Sequence, residues 1–244
     1  MNENAPEIHV LNHKVRLLQA ESGFRTSLDS VFVAAACPAG EGDRILDLGA
    51  GVGGASFCLL WRVAGSHVTG LEIQPSHVEL ASRNIALNNA EGRAKFIQAD
   101  IRAWRSPERF DHIICNPPYL DAGTYTPSQL EERAKALGHD DEKITVQDWI
   151  DAGFHNLKPG GSMTMIHRAD YTDKIFQALG RKFGAIEIIP LYPKAGKEAV
   201  RVIVRALKDR RTPSKILPAI ILHDVDGSYT ETADAILRDG AAIG

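Results

Sequence analysis

Arg44-Ile-Leu-Asp-Leu-Gly-Ala-Gly-Val-Gly-Gly54 is the stretch on which the reading of the whole chain turns. Arg44 to Leu48 is a short apolar run of β character, the glycines force a tight turn, and Ala55 to Arg62 has helical patterning. The same alternation repeats downstream. Ser66 to Leu71 reads as a second strand ending at Glu72, followed by a helix from Pro75 to Asn88 with proline suitably placed at its start. Lys95 to Gln98 is a third strand ending at Asp100, and Phe110 to Cys115 a fourth ending at Asn116. Lys158-Pro-Gly-Gly161 turns into a strand over Ser162 to His167, a helix spans Tyr171 to Phe183, and Ala185 to Leu191 and Ala199 to Leu207 complete seven strands. This order predicts an α/β fold, a doubly wound and mostly parallel seven-stranded sheet. Such sheets bind ligands beyond the carboxyl ends of their strands, so Asp47, Glu72, Asp100 and Asn116 are expected on one edge.

The flanks read as additions to that sheet. Ile8 to Gln19 alternates around Asn12-His13 as a short hairpin, and Thr26-Ser-Leu-Asp29 has the spacing of a capping box before the helical Val31 to Ala36. After the fourth strand, helices are expected near Pro127 to Leu137 and Thr145 to Leu157, and the tail from Pro213 carries a short helix over Thr230 to Arg238. With no internal repeat or linker, residues 1–244 are expected to form one domain: 1–40 as an N-terminal hairpin and helix, 41–210 as the core, 211–244 as a C-terminal extension.

Composition narrows the function classes. Hydrophobic residues make up 44% and charged residues 24%, a globular profile, and Met1 to Glu7 is polar with no later run of about 20 apolar residues, so a cytoplasmic protein without membrane spans is expected. Cys37, Cys58 and Cys115 form no CxxC pair, and His9 and His13 stand four apart on an extended segment, so no metal site is expected. Net charge is −3, but it is segregated: Lys194 to Lys215 carries a local balance of +6 and Asp121 to Asp151 one of −5. Oligomeric state is not legible.

The glycine turn admits two nucleotides. Gly49-x-Gly51-x-x-Gly54 with Glu72 beyond it fits a dinucleotide fingerprint. It equally reads as Asp47-x-Gly49-x-Gly51-x-Gly53, which resembles the class I S-adenosylmethionine-dependent methyltransferases. The other strand ends separate the two. In Asn116-Pro117-Pro118-Tyr119 two prolines remove two N–H donors and fix φ near −65°, leaving a rigid corner that presents the Asn116 side chain and the Pro117 carbonyl as acceptors beside an aromatic ring. That set suits a planar group bearing NH2, and it looks like the Asn-Pro-Pro-Tyr motif of methyltransferases that modify planar amines.

The resemblance extends along most of the chain. Phe24-Arg-Thr-Ser-Leu-Asp-Ser-Val-Phe-Val-Ala-Ala35, Ala199-Val-Arg-Val-Ile-Val-Arg205, Leu222-His-Asp-Val-Asp-Gly-Ser-Tyr-Thr230 and Ile236-Leu-Arg-Asp-Gly240 are similar to the bacterial adenine-N6 methyltransferases of the valine-tRNA anticodon loop. The resemblance implies a Rossmann-like methyltransferase fold, S-adenosylmethionine as cofactor and tRNA as partner. It implies cofactor roles for Asp47, Gly49, Ala50, Gly51, Gly53, Glu72, Ile73, Asp100, Ile101 and Asn116, and a catalytic role for Asn116, Pro117, Pro118 and Tyr119. Lys197, Arg201 and Arg205 are candidates for RNA phosphates, because Arg201 and Arg205 share one face of a strand. Two alternatives remain: a glutamine methyltransferase acting on a release factor, whose helical substrate domain has no room in the roughly 45 residues before Asp47, and an inactive cofactor-binding scaffold.

Overall fold

The computed structural model describes residues 5–20, 26–119 and 144–244. The helix expected at Pro127 to Leu137 and most of the acidic insert lie outside these residues. The elements run β1 Glu7–Val10, β2 Val15–Leu18, α1 Leu28–Ala36, β3 Arg44–Leu48, α2 Gly54–Arg62, β4 His67–Glu72, α3 Pro75–Leu87, β5 Ala94–Gln98 and β6 Phe110–Cys115. They continue with α4 Val146–Asn156, β7 Leu157–Arg168, α5 Thr172–Leu179, β8 Phe183–Lys194, β9 Arg201–Lys208, β10 Lys215–Ile216, β11 Ile220–His223 and α6 Glu231–Asp239.

The main sheet has the order β10-β8-β9-β7-β6-β3-β4-β5, with β11 also on β8. The strands from β7 across to β5 pair in parallel, and β9 runs antiparallel between β7 and β8. Strand order reverses between β3 and β6, the crevice where ligands bind in such sheets. Alternation in the strands builds a core on each face: Ile45, Ile114, Ile166 and Ile203 pack with α1 and α2, while Leu46, Leu48, Ile113 and Met165 pack with α4 and α5. Both faces of a parallel strand are thus covered, which explains its unbroken apolar runs.

Several local expectations are corrected. Ser27, not Thr26, occupies the N-cap of α1, no side chain caps the helix, and Asp29 turns inward instead of back to the backbone. Lys158-Pro-Gly-Gly161 is part of β7, which begins at Leu157 and takes up these residues as an irregularity opposite Phe110 and His112. The helix expected to reach Phe183 ends at Leu179, before Gly180, and β8 already begins at Phe183. β10 and β11 extend the sheet to nine strands; they are two and four residues long in a proline-rich tail, too short for alternation to mark them.

The hairpin β1–β2 is a separate two-stranded sheet, and its free edge is closed by side chains. Asn84 on α3 and Asn88 at its C-cap pair with the backbone of β2: Asn84 Oδ1 accepts from Leu18 N at 2.7 Å, and Asn88 accepts from Arg16 N at 3.0 Å and donates to its carbonyl at 2.7 Å. Asn84 is fully buried, and its Nδ2 also donates to Val52 O in the glycine turn. One asparagine therefore fixes the hairpin and the glycine turn to the same helix.

Candidate active site

The glycine turn follows β3 directly. Gly49 has φ +66°, and a Cβ there would stand 2.5 Å from Cη2 of Trp149. The turn therefore needs glycine twice over, for its left-handed backbone and for the indole packed on it. Gly53, at φ +91°, is the N-cap of α2. Asp47 is 3% exposed, and its Oδ2 accepts from the Ser56 hydroxyl at 2.6 Å. Burial pushes its pKa up to about 7, with Ser56 opposing and the charge of Glu72 adding to the rise.

Glu72 ends β4 and faces the turn. Its Oε2 accepts from Gly51 N at 2.9 Å and its Oε1 from Gln74 N at 2.9 Å. The carboxylate is held rigidly by two backbone donors, and each oxygen retains a lone pair for hydroxyl donors. Asp100, past β5, is bound by Arg102, whose Nε and Nη2 reach its Oδ2 at 3.0 and 2.7 Å. Its Oδ1 accepts from the backbone N of Arg102 at 2.8 Å, which the sequence reading did not foresee.

Between these groups lies an open cleft lined by Gly49, Glu72, Ile73, Asp100, Ile101 and Asn116, with Trp149 and His77 also on its wall. Its apolar walls with a few convergent carboxylates suit a nucleoside such as the adenosyl group of S-adenosylmethionine. Gly51 lines it as well, whereas Ala50 faces a smaller recess beside Asp47, with its N–H given to Leu71 O at 2.8 Å. The sequence reading missed Trp149: an aromatic residue in a helix some thirty positions past the corner carries no local signal.

The corner Asn116–Tyr119 leaves the end of β6 and closes this cleft on one side. The Tyr119 hydroxyl lies 2.8 Å from Asp29 Oδ2 and 3.1 Å from Asn116 Oδ1. Arg201 Nε donates to the same Asp29 oxygen at 3.1 Å, and its guanidinium lies 4.7 Å from the Tyr119 ring centroid. Burial, then the charge of Asp29, pushes the Tyr119 phenol far above its ordinary range, so it keeps its proton. On the far side of the diproline is a second, larger cleft. Tyr119, His167 and Tyr171 line it, with His167 and Tyr171 stacked at 4.5 Å and Lys174 Nζ 3.9 Å from the Tyr171 ring centroid. Pro118, Ile144 and Trp149 line both clefts, so the corner is their shared wall.

The three basic candidates are not brought together. Lys197 is exposed in the turn between β8 and β9. Arg201 is committed to Asp29. Arg205 shares its strand face, as expected, but that face lies under α1: its side chain is 11% exposed, pairs with Glu187 at 2.6 Å and donates to Ala36 O at 3.0 Å. No cluster of three metal-ligating side chains occurs among the described residues.

Comparison with known proteins bears on the family and the fold. Residues 28–192 match the family model described as the methyltransferase small domain. The chain is 28% identical over 223 residues to the tRNA1(Val) (adenine(37)-N6)-methyltransferase of Shewanella baltica strain OS195, covering 89% of this chain and 92% of that protein. The corresponding protein of Shewanella loihica is 33% identical over 150 residues, 59% of this chain and 60% of that one. Among solved structures, an Agrobacterium tumefaciens protein described as a predicted O-methyltransferase superposes with a TM-score of 0.72 at 28% identity, covering 88% of this chain and 98% of that one. A tRNA (m1A58) methyltransferase from Aquifex aeolicus shares the fold, with a TM-score of 0.56 at 16% identity over 80% of this chain and 73% of that one.

Proposed function

This chain belongs to the methyltransferase small domain family and uses S-adenosylmethionine, and we propose that it methylates the exocyclic N6 of an unpaired adenine in a tRNA anticodon loop. The observation that carries the reading is the corner itself, a rigid pair of acceptors on the wall between an apolar, carboxylate-bearing cleft and an aromatic, cation-lined one. The names of the relatives that cover 89% of the chain support adenine in tRNA as the acceptor.

In this reading Glu72 accepts from the ribose hydroxyls, Asp100 accepts from the adenine amino group, and Ile73 and Ile101 cover its faces. Bound S-adenosylmethionine supplies a methyl group on a positively charged sulfur leaving group. Asn116 Oδ1 and the Pro117 carbonyl accept the two N–H bonds of the target amine, which draws the nitrogen toward a pyramidal form and localises its lone pair. These bonds strengthen as the nitrogen gains positive charge, so they act mainly in the transition state. The diproline fixes the line of approach. The base enters from the cleft of Tyr119, His167 and Tyr171, where stacking of a base on an aromatic ring is worth roughly 1–3 kcal/mol. An unpaired loop base reaches this cleft without unstacking a duplex.

An alcohol acceptor, suggested by the description of the Agrobacterium neighbour, offers one hydrogen to a corner with two acceptors, so an amine or carboxamide fits better. The distinguishing experiment supplies S-[methyl-³H]adenosylmethionine with RNA, protein and DNA extracted from a strain lacking the gene. Label in the tRNA fraction is expected. Label confined to protein would replace adenine by a glutamine carboxamide as the acceptor.

A further inference from the structure

The Tyr119 hydroxyl has one proton and two neighbours drawn as acceptors, Asp29 Oδ2 at 2.8 Å and Asn116 Oδ1 at 3.1 Å. Only one of them can receive that proton. The carboxylate is the nearer and the stronger acceptor. An amide keeps its shape when its ends are exchanged, so the hydrogen-bond network decides which end faces which way. With the proton on the Asp29 side, the end of Asn116 beside Tyr119 has to be the NH2, donating to a lone pair of the phenol oxygen. Asn116 Oδ1 then turns toward the cleft that Asn116 lines. The opposite orientation would set two acceptors against one proton and present an NH2 to an incoming NH2.

We infer that Asp29, acting through the single proton of the Tyr119 hydroxyl, sets the orientation of the Asn116 amide, so that its oxygen faces the acceptor amine. The inference rests on the reading of Asn116 as the amine clamp. Asp29 and Arg201 are positioning residues in this scheme, and Tyr119 has a second task besides stacking.

The surroundings of Asp29 fit such a relay. It is 4% exposed in the first turn of α1, where a carboxylate has no apolar role and where Ser27, not Asp29, stands at the cap. Burying a carboxylate is costly unless it is paired. Both of its recorded partners, the Tyr119 hydroxyl and Arg201 Nε, meet the same oxygen, while Oδ1 has none among the described residues. The Arg201 guanidinium also packs at 4.7 Å from the Tyr119 ring centroid, so it locates both the acceptor and the donor of that bond. The arrangement gives a purpose to two distant segments, the one around Thr26 to Asp29 and the one around Arg201, that the cofactor cleft does not require.

Tyr119→Phe keeps the ring and removes only the hydroxyl, so it separates the relay from stacking. The test combines methyl-transfer kinetics on unmodified tRNA with NMR of protein labelled with ¹⁵N-asparagine, the Asn116 side-chain NH2 being assigned by its loss in Asn116→Ala. Tyr119→Phe is expected to lower kcat by roughly ten- to a hundredfold, the effect of one lost, well-placed hydrogen bond, with KM for tRNA and Kd for the cofactor within about twofold. Asp29→Asn should lower kcat in the same direction, and the double variant should be no worse than Tyr119→Phe alone, because both act on one bond. The Asn116 NH2 resonance should shift in both single variants. Wild-type kcat in Tyr119→Phe, or an Asn116 NH2 signal that neither substitution moves, would overturn the relay. Failure of the wild-type protein to label tRNA would sink the choice of substrate instead, and the NMR result would still decide the relay.

Discussion

Glu72, Ile73, Asp100 and Ile101 come from one run of the chain, with β3, β4 and β5 and the turns at their ends following each other within residues 44–101. The Asn116–Tyr119 corner is braced across the whole chain: Tyr119 binds Asp29, 90 positions away, and Arg201 binds Asp29 from 172 positions away. The proposed cofactor wall is thus local and held largely by backbone donors, such as those of Gly51 and Gln74 on Glu72. The proposed acceptor corner is nonlocal and held by side chains. If that division is also functional, damage to one region should leave the other working.

The largest effect is expected at the corner. Asn116→Ala should reduce methyl transfer by about a thousandfold or more, removing an acceptor used in the transition state, while cofactor Kd by isothermal calorimetry stays within about twofold. A parallel loss of cofactor binding would break the division.

Next is Arg205, which braces α1 from beneath. Arg205→Ala removes the partner of Glu187 and the donor to Ala36 O, and should cost roughly 1–2 kcal/mol, seen as a lower thermal midpoint. Lys197→Ala, on the exposed turn, should leave that midpoint unchanged and reduce the slope of log K for tRNA against log salt by about one. A flattened slope without destabilisation in Arg205→Ala would return that arginine to the RNA.

Glu72→Ala is the mirror of the Asn116 variant. It should weaken cofactor binding by roughly ten- to a hundredfold, with turnover at saturating cofactor largely kept.

The effect that builds most gradually concerns Asp47. Its folded pKa of about 7 lies above the ordinary carboxylate value, so between about pH 4 and 7 the folded protein holds a proton that the unfolded chain has released. Stability should therefore fall as pH rises through that window, by at most ~1.4 kcal/mol per pH unit from this group, and level off above it. The difference between wild type and Asp47→Asn in urea titrations isolates the contribution. Equal pH profiles would mean that Asp47 is ionised in the fold.

The same contrast explains what could be read from the sequence. The doubly wound sheet, the glycine turn and the acids at strand ends were legible because each is written in a few adjacent residues: an apolar run, a breaker, a polar terminus. Asn116-Pro-Pro-Tyr119 was legible for the same reason. The brace was not. Thr26-Ser-Leu-Asp29 has the spacing of a cap, and nothing local says that Asp29 turns inward to meet Tyr119. Arg201 and Arg205 look alike on one strand face, yet one lies at the corner and the other under the end of α1, a difference made by β9 pairing between β7 and β8. Trp149 against Gly49 and Asn84 against Val52 are contacts of the same kind, set by packing between elements.

The corner is proposed to deliver a methyl group to the exocyclic amine of an unpaired adenine. It is tested most directly by incubating the protein with unmodified tRNA and S-adenosylmethionine carrying a deuterated methyl, then analysing nuclease fragments and nucleosides by mass spectrometry. Deuterated N6-methyladenosine is expected in an anticodon-loop fragment, and none with Asn116→Ala. Label on a ring nitrogen or a ribose oxygen, or transfer that persists in that variant, would contradict it.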